Sequence, residues 1–228
     1  MKKIVCGDRP GCIQRAWAAI GRIFFSKRRI YRGTTIDWER TILQTNIYFV
    51  RHAHSTYTPD ELGRPLSAVG FTDADHICKT LANENIDVII SSPYKRANQT
   101  VEGLAKLNGK EIFIEEGFKE RTLSAKPVED FSAAIAKVWE DPAFSWEGGE
   151  SNLTAQKRGI TALSKVLEMY EGNNIAIGTH GNIMVLIINF FDNKYDFNFW
   201  KRLDMPDVYK CTFAKNELIE VQRVWKRQ

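Results

Sequence analysis

No stretch of this 228-residue chain approaches the ~20 uninterrupted apolar residues that a membrane-crossing helix needs. Cysteine is scarce: Cys6, Cys12, Cys78 and Cys211 are too few and too scattered to staple a fold. No C-x-x-C pair marks a structural zinc, and a reduced, cytoplasmic protein is the expectation. Histidine is scarce too, with only His52, His54, His76 and His180. His52-x-His54 has the spacing by which two imidazoles bind one metal in a hydrolase barrel, but such a barrel takes about 250 residues and more histidines. The chain therefore offers no credible metal-ligand cluster and calls for no cofactor. Internal repeats and low-complexity tracts are also missing.

Charge is present but unevenly placed. Residues 1–45 hold ten Lys/Arg against three acids, a net of +7, while the remaining 183 residues are mildly acidic at −3. The overall +4 thus belongs to a basic N-terminal extension, and with no recognisable motif behind it, nucleic acid is not an expected partner. Within the extension Ile13, Ala16, Trp17, Ile20, Ile23 and Phe24 recur at three- and four-residue steps beside Arg15, Arg22 and Lys27–Arg29. That spacing suits an amphipathic helix on an anionic membrane surface. A loosely held chain end accounts for it more simply.

From Asn46 the pattern alternates between strand and helix. Ile47–Val50 reads as a strand buried on both faces, and Asp87–Ser91, Glu111–Glu115 and Asn174–Thr179 read as further strands. Helices are expected from Ser67 to about Asn83, from Pro93 with Ser92 as its cap to about Leu107, around Val128–Trp139, from Asn152 to Tyr170, and over Asn182–Phe191. Tyr209–Ala214 and Glu217–Val224 flank a hairpin turn at Lys215-Asn216. Strands alternating with helices predict a three-layer α/β/α sandwich over residues 46–228 with a mostly parallel central sheet.

In such a sheet ligands bind beyond the carboxyl ends of the strands. There the sequence places Arg51-His52-Ala53-His54, Ser92-Pro93-x-x-Arg96, Gly117-Phe118-Lys119-Glu120 and His180-Gly181. Two histidines, two arginines and a carboxylate converging on one sheet edge suit a phosphoryl group. Arginine forks match phosphate oxygens, and helices starting near Pro93 and Gly181 would aim unpaired N–H groups at an anion. A neutral imidazole can attack phosphorus, and a carboxylic acid can protonate the leaving oxygen.

The motifs Arg51-His52-Ala53, Ser91-Ser92-Pro93-x-x-Arg96-Ala97-x-Gln99-Thr100 and Thr179-His180-Gly181, in that order, resemble the histidine phosphatase superfamily, the phosphoglycerate mutase-like group. Pro65-Leu66-Ser67-x-x-Gly70 and Gly148-Gly149-Glu150-Ser151 extend the likeness over residues 46–224. The resemblance implies a phosphomonoester hydrolase with a small phosphorylated metabolite as substrate. It implies that His52 is the phosphorylated nucleophile and that Arg51, Arg96 and His180 bind the phosphoryl oxygens. Glu120 would be the general acid, with Glu116 its competitor because Phe118 replaces the usual leucine. Thr58 stands where an asparagine often contacts phosphate, which carries a phosphate-binding role to it. The short link from His52 to Leu66 resembles small phosphatases more than glycolytic mutases. Mutase-type phosphoryl transfer and a non-catalytic phosphate-binding module are the alternatives.

Overall fold

The computed structural model describes residues 43–226. The amphipathic pattern from Ile13 to Phe24 lies outside them. Six strands, β1 (Gln44–Arg51), β2 (Val88–Ser91), β3 (Ile112–Ile114), β4 (Asn174–Thr179), β5 (Asp207–Ala214) and β6 (Glu217–Arg223), form one sheet in the order β3-β2-β4-β1-β5-β6. The β3-β2, β2-β4 and β4-β1 pairs are parallel. The β1-β5 and β5-β6 pairs are antiparallel, so the sheet is mixed. The helices are α1 (Ala68–Leu81), α2 (Lys95–Asn108), α3 (Phe131–Glu140), α4 (Asn152–Met169), α5 (Gly181–Phe191) and α6 (Phe197–Lys201).

Alternation along β1 sorts the two faces. Ile47 and Phe49 pack with Ile175 and Ile177 against α4 and α5. Tyr48 and Val50 pack with Ala176 and Ile89 against Ile77 and Leu81 of α1 and Val101 and Leu104 of α2. Each fully buried aliphatic or aromatic side chain is worth about 1.5–3 kcal/mol, and a one-residue slip would send every one of them to the wrong face. The expected three-layer α/β/α architecture is therefore present.

Local chemistry explains most element boundaries. Ser67 accepts the Gly70 N–H and starts α1, whose buried residues Gly70, Ala74, Ile77 and Leu81 follow the helical period. A Cβ on Gly70 would lie 2.0 Å from the His54 carbonyl oxygen, so α1 abuts the chain segment after β1 as only glycine permits. Ser151 caps α4 by accepting the Thr154 N–H.

Three expectations need correcting. The second helix begins at Lys95 with Tyr94 as its cap residue, not at Pro93 behind a Ser92 cap. The Ser92 hydroxyl instead accepts the Tyr94 N–H. The third strand is only Ile112–Ile114, shorter than the expected Glu111–Glu115, and it lies at the sheet edge with Phe113 and Ile114 about half exposed. In α4 the sequence pattern sets Leu153 on one side with Ile160, Leu163, Val166, Leu167 and Tyr170, but Leu153 faces outward while Ala155, Gly159 and Ala162 join the inner stripe. A Cβ on Gly159 would sit 2.7 Å from Ile187, so small residues let α4 close on α5. Two elements carried no expectation: α6, with Asp196 as its cap, and a 3-10 turn over Glu116–Phe118.

β1 and β4 are neighbours, yet β1 leads to α1 on one face and β4 leads to α5 on the other. Their divergence opens a crevice at the carboxyl ends of the two strands. The Arg51↔Thr179 register puts His52 and His180 side by side at that point, and the His52 N–H bonds the Thr179 carbonyl at 2.9 Å.

Candidate active site

His52 is 7% exposed and its ring is locked by its own backbone neighbour. Nδ1 lies 2.8 Å from the Ala53 carbonyl, which can only accept, so the ring proton sits on Nδ1 and the lone pair on Nε2. Arg96 Nε donates to that Nε2 at 3.2 Å. Burial, then the Arg96 charge, pushes the imidazole down to about 3. A neutral ring with its lone pair turned toward a guanidinium is a nucleophile beside an anion binder.

His180 is fully buried, with its ring centroid 5.1 Å from that of His52 in an edge-on arrangement. Its Nε2 lies 2.7 Å from Ser92 Oγ. Oγ accepts the Tyr94 N–H, and when it donates its own proton to Nε2 the His180 ring proton sits on Nδ1. Among the described residues this Nδ1 has no hydrogen-bond partner. Burial holds the ring well below the usual histidine range, and His52, Arg96 and Arg51 add to the effect. Tyr94 packs edge-on against His180, and the Arg96 guanidinium lies 4.6 Å from the Tyr94 ring centre.

Arg51 ends β1 and turns toward β5. Its Nη1 donates to the Asp204 carbonyl at 2.9 Å and the Leu203 carbonyl at 3.3 Å, while buried Nε has no partner among the described residues. Asp207, opposite Arg51 in the antiparallel ladder, is clamped by Arg223 at 2.8 and 3.0 Å. Burial pulls Arg51 below its usual value, but Glu120, Asp207 and Asp204 counter it. Gly181 makes room for this side chain, since a Cβ there would lie 2.9 Å from Arg51 Nε.

Glu120 departs from the expected arrangement in an informative way. Its Oε1 accepts the Arg121 and Ile183 N–H groups at 2.9 and 3.1 Å, and its Oε2 accepts the Asn182 N–H at 3.1 Å. The N–H groups at the start of α5, expected to meet a substrate anion, are thus held by the protein's own carboxyl group. Glu120 is thereby fixed within electrostatic reach of Arg51 and Arg96. Glu116 has a side chain 69% exposed whose ion pair among the described residues is with Lys119 at 3.8 Å, whereas Glu120 interacts with Arg51 and Arg96. Arg158 grips Glu150 at 2.7 and 3.0 Å and donates to the Gly117 and Lys119 carbonyls. It braces the segment that carries Glu120.

Arg51, His52, Arg96, Glu120 and His180 therefore share one crevice. Thr58 does not join their network: its hydroxyl donates to the Asp60 carbonyl at 3.0 Å. His54 is exposed and bonded to Ser67 Oγ. The contacts of Ser92 and Tyr94 with His180 and the carbonyl anchors of Arg51 escaped the sequence reading because contacts across more than 80 residues leave no local pattern. Arg121, 5% exposed beside Glu120 and Glu150, escaped it as well. A cavity of about 380 Å³ lined by Trp139, Leu153, Gln156 and Phe197 involves none of the crevice residues. Among the described residues no group of three or more His, Cys, Asp or Glu side chains could hold a metal ion.

Comparison with known proteins agrees with this geometry. The family model described as histidine phosphatase superfamily (branch 1) matches residues 47–222. A curated relative from Hydrogenobacter thermophilus, provisionally named phosphoserine phosphatase 2, is 29% identical over 156 residues, 62% of this chain and 76% of that protein. Among solved structures, mycobacterial glucosyl-3-phosphoglycerate phosphatase superposes with a TM-score of 0.65 at 18% identity, over 79% of this chain and 97% of that one. Phosphoserine phosphatase from Entamoeba histolytica, solved with 3-phosphoglyceric acid, gives 0.64 at 19% identity, over 77% and 94%.

Proposed function

This chain belongs to the histidine phosphatase superfamily (branch 1), and we propose that it hydrolyses small phosphorylated metabolites through a phosphohistidine on His52. The observation that carries the assignment of the nucleophile is the unprotonated His52 Nε2, which accepts from Arg96 Nε, with the Nδ1 proton directed at the Ala53 carbonyl. In the first step Nε2 attacks phosphorus and the ester P–O bond breaks. The leaving oxygen takes its proton from Glu120. In the second step a water oxygen attacks the phosphoryl group, its proton passes to Glu120, and the P–N bond breaks to release phosphate. Arg51, Arg96 and the Nδ1–H of His180 hold the equatorial oxygens, and their positive charge replaces what a metal would supply. Thr58 is assigned only an outlying phosphate contact.

The relatives named for phosphoserine and phosphoglycerate derivatives support a small phosphorylated acid as substrate. The free thiols of Cys78 and Cys211 favour a reducing, cytoplasmic setting. For residues 1–45 a loosely held chain end is the simpler reading, and the partner that their excess positive charge would suit is an anionic membrane surface.

Rapid quenching during turnover of p-nitrophenyl phosphate tests the mechanism. The expected result is an acid-labile, base-stable phosphoryl adduct that maps to His52 and is absent in His52→Ala. Turnover is expected to survive excess EDTA and to be inhibited by vanadate. An active His52→Ala enzyme, or an adduct on another residue, overturns the reading.

A further inference from the structure

One arginine near the crevice has no part in the steps above. Arg64 sits just before Pro65-Leu66-Ser67, at the end of the short link from His52. Its side chain is 18% exposed, and its Nη1 contacts Glu61 Oε1 at 2.9 Å. The other Glu61 oxygen lies 3.2 Å from Arg96 Nη1, and Arg96 is the residue that donates to His52 Nε2. Arg64 Nε is buried and has no partner among the described residues.

This arrangement is electrostatically one-sided. Arg64 is the largest charge acting against Arg96 and also reaches His52 and His180. Two guanidinium groups thus converge beside the nucleophile with one carboxylate between them, and that carboxylate belongs to a side chain 55% exposed on a surface loop. The Glu61 main-chain carbonyl also accepts from Arg96 Nη1, at 2.8 Å, so the residue stays in place through its backbone while its half-exposed carboxylate is the part a ligand can displace. What it demonstrates is fit: the two oxygens of one carboxylate span the two arginines.

We infer that Arg64 and Arg96 form a second anion subsite beside the phosphoryl position, which takes a carboxylate of the substrate, and that Glu61 occupies it in the free enzyme as an internal competitor. This rests on the phosphoryl group being bound at His52, as proposed above. Arg64 is then a specificity-determining residue that selects phosphomonoesters of small carboxylic acids over esters with no second charge. Arg96, with several donors on one fork, serves both groups at once.

Calorimetric titration of the full-length protein with inorganic phosphate and with 3-phosphoglycerate tests this. The wild type is expected to bind 3-phosphoglycerate more tightly than phosphate. In Arg64→Met the affinity for 3-phosphoglycerate is expected to fall at least tenfold further than that for phosphate, and Arg64→Lys is expected to recover part of the difference. Glu61→Gln, an isosteric change at an exposed position, is expected to strengthen 3-phosphoglycerate binding severalfold relative to phosphate. Equal losses on both ligands in Arg64→Met would show that Arg64 is only background charge. Weakened 3-phosphoglycerate binding in Glu61→Gln would show that Glu61 is a brace. Either result overturns the subsite, as does failure of the wild type to bind either ligand. Binding is read without turnover, so absence of a phosphohistidine defeats the proposed mechanism while leaving these ratios to judge Arg64 and Glu61.

Discussion

Two buried imidazoles among three arginines make the crevice sensitive to protons. His52 is pushed down to about 3, and His180 is held well below the usual range. In the unfolded chain both titrate near 6.5. The folded state therefore binds fewer protons than the unfolded one once pH falls below that value. The associated stability is fully present above pH 6.5 and is lost as pH falls toward the folded values, at up to about 1.4 kcal/mol per pH unit for each histidine. Between pH 7 and pH 5, His52→Gln is expected to lose about 2 kcal/mol less unfolding free energy than the wild type, measured by urea denaturation at the two values. Identical losses would show that His52 takes up its proton freely in the fold. The same logic gives phosphate a role beyond substrate, because an entering dianion offsets the neighbouring positive charge and favours a proton on His180.

At the level of elements, residues 181–183 at the start of α5 do three separate jobs. Gly181 leaves room for Arg51, and the N–H groups of Asn182 and Ile183 hold Glu120. Gly181→Ala would put a Cβ 2.9 Å from Arg51 Nε and 3.0 Å from its Cζ. The guanidinium is the movable partner, so the fold should persist while Arg51 shifts off its Asp204 and Leu203 carbonyls. A misplacement of about 1 Å can cost on the order of 100-fold in rate. The expected outcome is a 10- to 100-fold fall in kcat/KM on p-nitrophenyl phosphate with little change in thermal midpoint, and unchanged kinetics would show that Arg51 is not positioned by this contact. The His180-Gly181 pair was legible in the sequence as a motif, and the reason for its glycine was not. The strands were readable because β1 and β4 are apolar on both faces, and α1 because Ser67 caps it. Ser92 misled because a Ser-Pro pair before a helix has the composition of a cap, whereas its hydroxyl serves His180. Residues 116–121 were the hardest, since nothing local reveals that Glu120 is a distant cap for α5.

For the whole molecule, the described core is continuous from Thr45, whose hydroxyl accepts the Gly172 N–H, to Trp225. Six strands and both helical layers are supplied by residues 43–226. Deleting residues 1–40 is therefore expected to leave kcat/KM on a soluble phosphomonoester within a few-fold, about 1 kcal/mol or less of transition-state stabilisation. A truncated protein that cannot be refolded would show that the basic extension is part of the folding unit.

The central position of β1 also bears on how the protein is made. Its hydrogen-bonding partners are Asn174–Thr179 on one side and Asp207–Ala214 on the other. During synthesis the run Ile47–Val50 leaves the ribosome long before either partner exists, and at 5–20 residues per second it waits for several seconds as an unpaired apolar strand. Such a strand is a natural substrate for chaperones that bind extended hydrophobic segments. A nascent chain released before β4 has no neighbour for His52, so the crevice forms only after residues 174–180 have been made.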